Sequence, residues 1–342
     1  MKRIAISRLP ELLEQLAAQA AVYCPLDDGG GHSRFSRWEP GRKPVLTGNT
    51  RRGPKDLFFP QVEDLVRFRV SGKELEVLEA RVRREPFVVF GVRACDCRAL
   101  EILDRVFLAE PEDSFYKDRR EHGTVVSLAC REPEETCFCR TFGIDAADPA
   151  GDVTAWEAGD YLYFRPNTEK GERLLGRLSL EEREPGEVEA AQAALRAVLD
   201  RLPLADLTTQ GFGRRENMLE LFHRPQWEAL AESCLGCGTC TYVCPTCQCY
   251  DIKEFDNGRE VCRYRCWDSC MYSDFTLMSA GQPRPTQKER FRQRFMHKQQ
   301  YFPVNQEGVF GCVGCGRCLQ QCPVHMNIVK VMKTLGGERD EF

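Results

Sequence analysis

The sequence predicts a mixed α/β or α+β domain over residues 1–210, followed by a mostly helical domain over residues 211–342. Two observations support this prediction. Strand-like and helix-like segments alternate in the first part, and thirteen of the nineteen cysteines lie between Cys234 and Cys322 in the second. A chain of 342 residues is long enough for two domains with separate cores. We place the boundary near Pro203–Arg215.

The first elements follow from apolar periodicity. Leucines recur at helical spacing within Leu9–Ala20, and the mixed apolar and charged pattern of Glu74–Arg84 predicts a second helix. Phe87–Val92 and Thr124–Ala129 are compact apolar runs that predict buried strands. Asp96 is expected to cap the helix between them. A strand–helix–strand order favours a parallel pair within an α/β layer.

The rest of the first domain is predicted to contain a hairpin and two helices. Val153–Trp156 and Tyr161–Phe164 flank a Gly-Asp turn and indicate two paired strands. One helix is expected to stop within Leu180–Val188, where Pro185-Gly186 interrupts the pattern. Strong helix formers predict the other helix over Val188–Leu202.

Composition narrows the class of protein. The 48 basic and 52 acidic residues lack the basic excess of a nucleic-acid binder. The N-terminal residues carry charges and a proline in place of the apolar stretch of a signal peptide, and no apolar run reaches the ~18 residues of a membrane span. We therefore expect a cytoplasmic protein. Because cytosolic thiols stay reduced, most of its cysteines should bind metal or take part in catalysis.

The pattern C-x2-C-x2-C-x3-C-P occurs twice, beginning at Cys234 and at Cys312. It is typical of ferredoxin-like domains with two [4Fe–4S] clusters, in which the fourth cysteine of each motif ligates the other cluster. Glycines between the cysteines should let backbone amides approach the cluster. The predicted first set is Cys234, Cys237, Cys240 and Cys322, and the predicted second set is Cys312, Cys315, Cys318 and Cys244. A zinc site would not need a third cysteine two residues on and a fourth before proline.

Five more cysteines follow the two predicted parallel strands: Cys95, Cys97, Cys130, Cys137 and Cys139. Sites in open α/β sheets favour the carboxyl ends of strands, so these thiols should meet. Their number is sufficient for a third four-cysteine site. Zinc and simple buried thiols are the competing interpretations.

The cysteines between the two motifs are Cys247, Cys249, Cys262, Cys266 and Cys270. A helix over Arg259–Met271 would place the last three on one face. They would then close a fourth metal site with Cys247 or Cys249, or pack as buried thiols; the spacing leaves both open.

The histidines and the basic segment are weaker indications of a functional site than the cysteines. The histidines are scattered, at positions 32, 122, 223, 297 and 325, and each is expected to be a surface or core residue. No dinucleotide fingerprint for flavin or nicotinamide is present. The basic run from Arg284 to Lys298 is expected to be a solvated helix face, with compensation of cluster charge or docking of an acidic partner as alternatives.

Five ordered motifs together resemble a known family: GVRACD, TCFC, CLGCGTCTYVCPTC, CWDSC and HKQQYFP…GCVGCGRC. The family is the iron–sulfur electron-transfer subunits of anaerobic oxidoreductases, of the 4Fe-4S dicluster type. It includes the A subunit of anaerobic sulfite reductase, the beta subunit of sulfhydrogenases and the iron–sulfur subunit of flavin oxidoreductases linked to heterodisulfide reductase. The likeness runs from about residue 54 to residue 330.

The resemblance implies ligands, partners and a function. The third cluster would be held by Cys95, Cys130, Cys137 and Cys139, with Cys97 as an alternative ligand. The chain would relay single electrons between a flavin-containing NAD(P)H-oxidising subunit and a terminal reductase or hydrogenase, in a hetero-oligomer without nucleic acid or membrane span. It would itself catalyse no reaction. The alternatives are an enzyme whose non-ferredoxin cysteines hold a substrate-binding cluster, and a zinc-binding structural module.

Overall fold

The computed structural model describes residues 1–78 and 85–336. The strands are β1 (Lys2–Ala5), β2 (Ala21–Asp27), β3 (Ser33–Arg37), β4 (Val62–Ser71), β5 (Glu74–Leu78), β6 (Phe87–Val92), β7 (Gly123–Leu128), β8 (Val153–Ala158), β9 (Tyr161–Pro166), β10 (Glu181–Glu182), β11 (Tyr250–Asp256) and β12 (Glu260–Trp267). The α-helices are α1 (Leu9–Ala17), α2 (Lys55–Phe58), α3 (Ala94–Phe107), α4 (Ser114–His122), α5 (Glu169–Leu175), α6 (Gly186–Leu199), α7 (Met218–His223), α8 (Gln226–Glu232), α9 (Thr239–Tyr242), α10 (Gln287–Met296), α11 (Phe302–Asn305), α12 (Arg317–Gln320) and α13 (Ile328–Leu335).

An eight-stranded mixed sheet organises the first part of the chain, in the order β10-β1-β9-β8-β7-β6-β2-β3. The four inner strands β8, β7, β6 and β2 are parallel, and the outer strands pair antiparallel. This confirms the predicted parallel pair of Phe87–Val92 with the following strand, and it confirms the β8–β9 hairpin. Leucines of α1 bury one helix face against this sheet, as their spacing predicts.

A second sheet of four antiparallel strands, in the order β11-β12-β4-β5, joins segments far apart in sequence. β4 precedes the predicted boundary between residues 210 and 211, and β12 follows it. Buried charges hold this sheet against α4: Arg265 donates to Glu63 Oε2 at 2.6 Å, and Arg119 donates to Glu63 Oε1. All three side chains are almost fully buried.

The predicted helix over Glu74–Arg84 is wrong for the residues that the structure describes. Glu74–Leu78 form β5, and residues 79–84 lie outside the described part of the chain. The register pairs Leu75 with Val70 and Val77 with Phe68 of β4. A short segment that alternates glutamate with apolar residues fits a strand as well as a helix, and pairing with β4 decides between them.

The predicted helix over Arg259–Met271 is also wrong. β12 occupies Glu260–Trp267 and is paired on both sides, by β4 and by β11. Val261, Tyr264 and Trp267 favour this strand through their high strand propensity, and Gly258 adopts the left-handed conformation required in the preceding turn. Cys262 and Cys266 therefore lie on a strand, and Cys270 lies beyond its end.

Two smaller predictions need correction. Asp96 does not cap α3, because the helix begins at Ala94 and Arg93 is its N-cap; the Asp96 carboxylate lies in the first turn and pairs elsewhere. The helix expected to stop within Leu180–Val188 ends earlier, at Leu175, and the short strand β10 follows it. The last predicted helix begins at Gly186 and ends at Leu199.

Candidate iron–sulfur centres

The two cysteine motifs fold into matching units. In each, a loop carries the first two cysteines and a four-residue helix, α9 or α12, carries the third. Gly238 and Gly316 are the N-caps of these helices and share the left-handed conformation, with φ of 73° and 76°. A repeat in sequence is therefore a repeat in backbone conformation.

The predicted first set of thiols lines one cavity. Cys234, Cys237, Cys240 and Cys322 line this cavity, together with apolar side chains that include Phe291. Two hydrogen bonds point at the sulfurs: Gln287 Nε2 donates to Cys234 Sγ at 3.5 Å, and the Met326 amide donates to Cys322 Sγ at 3.2 Å. Four thiols around an enclosed space fit an iron–sulfur cluster.

The thiols of the predicted second set are partly buried. Burial raises the pKa of the Cys312 thiol to about 12 and also raises the pKa values of Cys315 and Cys318. The charge of Cys244 acts on all three, which places it beside them as the predicted fourth ligand would be. Burial of this kind makes a free thiolate costly unless a metal compensates its charge.

Four of the five cysteines that follow β6 and β7 lie close together in the structure. One apolar core contains Cys95, Cys130 and Cys139, together with Cys315 of the second motif. The charges of Cys130, Cys139 and Cys315 act on the nearby Cys137 thiol. Burial raises the pKa of Cys139 to about 12. The structure thus brings Cys95, Cys130, Cys137 and Cys139 to the carboxyl ends of β6 and β7.

Cys97 lies elsewhere. Its side chain packs in a different core, with Leu100, Phe107 and Trp267. The charged groups that act on its thiol are carboxylates and an arginine, and Cys95, although two residues away, faces another core. The helical geometry of α3 separates the two side chains.

The second motif and the N-terminal cysteines are in direct contact. The Phe138 amide donates to Gly314 O at 2.8 Å. Gly314 has φ of 60°, and a Cβ there would stand 2.4 Å from the carbonyl carbon of Phe138, so only glycine fits. Asn49 Nδ2 bridges the two sites, at 3.6 Å from Cys137 Sγ and 3.3 Å from Cys315 O.

The five middle cysteines separate into two groups. Cys247, Cys249 and Cys270 line a cavity between the two parts of the chain, which we call the inner cavity, together with Arg294, His297 and Lys298. Cys262 and Cys266 lie on β12 of the small sheet.

Buried cations surround these thiols. Arg294 is 2 % exposed and donates from Nη2 to Cys240 O at 3.0 Å, while its Nε and Nη1 have no hydrogen-bond partner among the described residues. Lys298 is 5 % exposed and donates to Thr246 Oγ1 at 2.7 Å and to Gly311 O at 2.9 Å. Lys55 Nζ donates to Cys247 O at 2.8 Å. The expectation of a solvated helix face is therefore wrong for Arg294 and Lys298.

A π-helical turn places His297 and Lys298 on the inner cavity. It spans His297–Tyr301 between α10 and α11, and such turns are frequent at functional sites. Burial and the charges of Lys298 and Arg284 lower the pKa of His297 to about 4, so its imidazole is neutral at physiological pH.

The anions that would balance these cations are thiolates. The groups that raise the pKa of Arg294 are Cys240, Cys318, Cys247 and Cys244, and those that raise the pKa of Lys298 are Cys244, Cys247 and Cys312. Two buried cations amid thiols fit the negative charge of thiolate-ligated iron–sulfur clusters. In the part of the chain that the structure describes, no three Cys, His, Asp or Glu side chains meet as ligands of one metal ion would.

Fold and site together define an iron–sulfur protein of the dicluster type. Residues 233–326 match the family model of the 4Fe-4S dicluster domain. Over 334 residues the chain is 32 % identical to sulfhydrogenase 2 subunit beta of Pyrococcus furiosus, covering 94 % of both chains. The chain belongs to the iron–sulfur subunit family that includes this beta subunit, as its motifs predict. No solved structure matches it. Among the described helices, none is long and apolar enough to cross a membrane.

Sequence reasoning missed the residues that surround the thiols. Arg294 and Lys298 belong to a basic run whose pattern does not indicate burial. Asn49 and Lys55 lie far from any cysteine in sequence, and no motif signals their contacts with Cys137, Cys315 and Cys247.

Proposed function

We propose that this chain is an electron-transfer subunit that relays single electrons between a flavin-containing NAD(P)H-oxidising subunit and a terminal hydrogenase or reductase. The observation that carries the proposal is the enclosed four-thiol cavity of the first set, on a chain related over 94 % of its length to a sulfhydrogenase subunit. The relative's name makes it one subunit of a larger enzyme. Electron transfer through clusters requires burial and tuned charge rather than a general acid or base.

The proposed ligands make three [4Fe–4S] clusters. The first is held by Cys234, Cys237, Cys240 and Cys322, and the second by Cys312, Cys315, Cys318 and Cys244. The third is held by Cys95, Cys130, Cys137 and Cys139. The packing of Cys97 in a separate core favours Cys95 as the ligand from α3.

The contacts between the sites support an order for the relay. Phe138 and Gly314 join the third site to the second, and Arg294 lies between thiols of the second and first sites. Electrons would pass between the outer partners along the sequence third, second, first cluster, in either direction. The second cluster would be the common neighbour of the other two.

The test compares coupled and partial reactions of the assembled complex. The flavin subunit would reduce a dye with NAD(P)H, the terminal subunit would react with a second dye, and the coupled reaction would link both substrates. Cys234→Ser should remove about four iron atoms per chain and most of the coupled rate, while both dye reactions persist. Cys262→Ser, on the small sheet, is the matched control and should leave all three rates unchanged.

Two results would overturn the relay. One is full coupled turnover in a complex that lacks this chain. The other is a substrate reaction catalysed by the isolated, cluster-loaded chain, which would favour the enzyme alternative. Zinc in place of iron in the purified chain would instead identify a structural module.

A further inference from the structure

The inner cavity is a site that the three-cluster relay does not use. It is lined by the thiols of Cys247, Cys249 and Cys270, together with the imidazole of His297. Three thiols converge there from two segments of chain, the loop after Cys244 and the turn after β12.

The positive charge of the cavity wall favours a bound anion. Arg294 and Lys298 both line it, and both are buried. Lys298 is engaged by neutral oxygens, and two N–H groups of Arg294 have no partner among the described residues. An unpaired buried guanidinium is costly, and an anionic group between Arg294 and the thiols would relieve that cost.

We propose that the inner cavity holds a fourth [4Fe–4S] cluster, ligated by Cys247, Cys249, Cys270 and a ring nitrogen of His297. Three thiolates supply three corners of the cluster, and His297 is the further metal-binding side chain in the cavity wall. A thiolate-ligated cluster would place further negative charge beside Arg294 and Lys298. This inference goes beyond the relay, because the three proposed clusters use none of these four residues.

The position of the site makes it an extension of the same electron path. The Cys247 thiol lies beside Cys244, a proposed ligand of the second cluster. Thr246 lies between the two sites, with its Oγ1 3.2 Å from Cys244 Sγ and 2.7 Å from Lys298 Nζ. The fourth cluster would therefore exchange electrons with the second.

The other two middle cysteines, Cys262 and Cys266, lie outside every proposed cluster site. Cys262 faces Asp64 and Arg67 on the small sheet, and Cys266 lies near Lys253 and Asp251 of the same sheet. They provide a matched control, because they are cysteines of the same segment that lie outside the inner cavity.

The first test measures iron, sulfide and Mössbauer spectra of the full chain purified without oxygen. Cys249→Ser/Cys270→Ser should lose about four iron and four sulfide per chain relative to the unsubstituted protein, with the other clusters retained. Cys262→Ser/Cys266→Ser should lose none. Equal iron in the two double variants would overturn the fourth cluster.

A second measurement takes its decisive result from the unsubstituted protein and is unaffected if the double variant fails to fold. Protein labelled with ¹⁵N only in histidine is reduced, and pulsed EPR should detect a strong nitrogen coupling of a directly bound imidazole. His297→Ala should abolish that coupling, and His223→Ala, on α7, should keep it. Absence of the coupling in the unsubstituted protein would overturn the assignment of His297.

These outcomes are separate from those of the relay. Loss of the coupled rate in Cys234→Ser concerns the first cluster and does not change the iron difference measured here. Conversely, a full complement of iron in Cys249→Ser/Cys270→Ser leaves the three-cluster relay intact.

Discussion

Asp96 and Arg317 form a buried, two-pronged ion pair between the two halves of the molecule. Nη1 of Arg317 lies 2.6 Å from Oδ1 of Asp96 and Nη2 lies 2.7 Å from Oδ2, and each side chain is 1 % exposed. Asp96 follows Cys95 in α3, and Arg317 lies between two cysteines of the second motif in α12. Arg317 Nε also donates to Thr50 O at 2.8 Å. The pair therefore fixes the proposed third cluster site against the proposed second one.

Asp96→Asn should destabilise the protein strongly, because it leaves the Arg317 charge buried without a counter-ion. Breaking a buried pair in this way costs about 3–5 kcal/mol. The measurement is anaerobic denaturant unfolding followed by circular dichroism. Glu101→Gln is the control on the same helix, since its partner Arg98 is well exposed and such pairs contribute about 1 kcal/mol or less. Equal midpoints for the two variants would contradict the prediction.

Gly314→Ala should cost more stability than Gly258→Ala. Both glycines are left-handed, with φ of 60° and 82°. At Gly258 nothing lies within 4 Å of the added methyl group, so only backbone strain of about 1–2 kcal/mol is expected. At Gly314 the methyl group would meet Phe138 at 2.4 Å and force the loops of the second and third sites apart. Unfolding midpoints measure the difference, and similar values would show that the close contact is dispensable.

Local sequence pattern was sufficient to predict β6, β7 and β8 of the large sheet, whereas β2 was not predicted. The run Phe87–Val92 is apolar throughout because both faces of β6 are covered, and its strand bounds follow directly from the sequence. β5 and β12 were wrongly predicted for the opposite reason. β5 is largely exposed and β12 is mostly half-buried, so their apolar residues do not define one face. In addition, the pairing of β12 with β4 joins residues 191 to 204 positions apart.

Cysteine spacing predicted which thiols meet, but not what surrounds them. The repeated motif identifies the four thiols of the first cavity because three of them lie within seven residues and the fourth, Cys322, ends the second copy of the motif. No single motif contains the thiols of the inner cavity. Cys249 and Cys270 come together only through the turn after β12. Burial of Arg294 is equally invisible in a basic run, since long cations are usually solvated.

Cys24 should make the stability of the protein fall with rising pH. It is fully buried in β2, apart from the thiol sets, and burial raises its pKa from 9.0 to about 12. Above pH 9 the unfolded chain loses this proton while the native protein keeps it. Stability from this group is thus complete below pH 9 and declines by about 1.4 kcal/mol per pH unit up to pH 12. Cys24→Ala should lower stability at pH 7 but decline less steeply between pH 9 and 11. Parallel pH profiles would contradict the assignment.

Arg294→Gln should lower the midpoint potentials of the first and second clusters. The guanidinium lies among thiols of both sites, and its charge favours the more negative, reduced clusters. At an effective dielectric constant of ~20 and a separation of ~8 Å, one charge contributes about 2 kcal/mol, equivalent to about 90 mV for one electron. Potentiometric EPR titration measures the shift. Arg294→Lys should keep both midpoint potentials close to those of the unsubstituted protein, because lysine retains the positive charge. Lys288→Gln is the control from the same helix, since that lysine is partly exposed and paired with the exposed Glu228. Unchanged potentials in Arg294→Gln, with both clusters present, would show that this buried charge does not tune the relay.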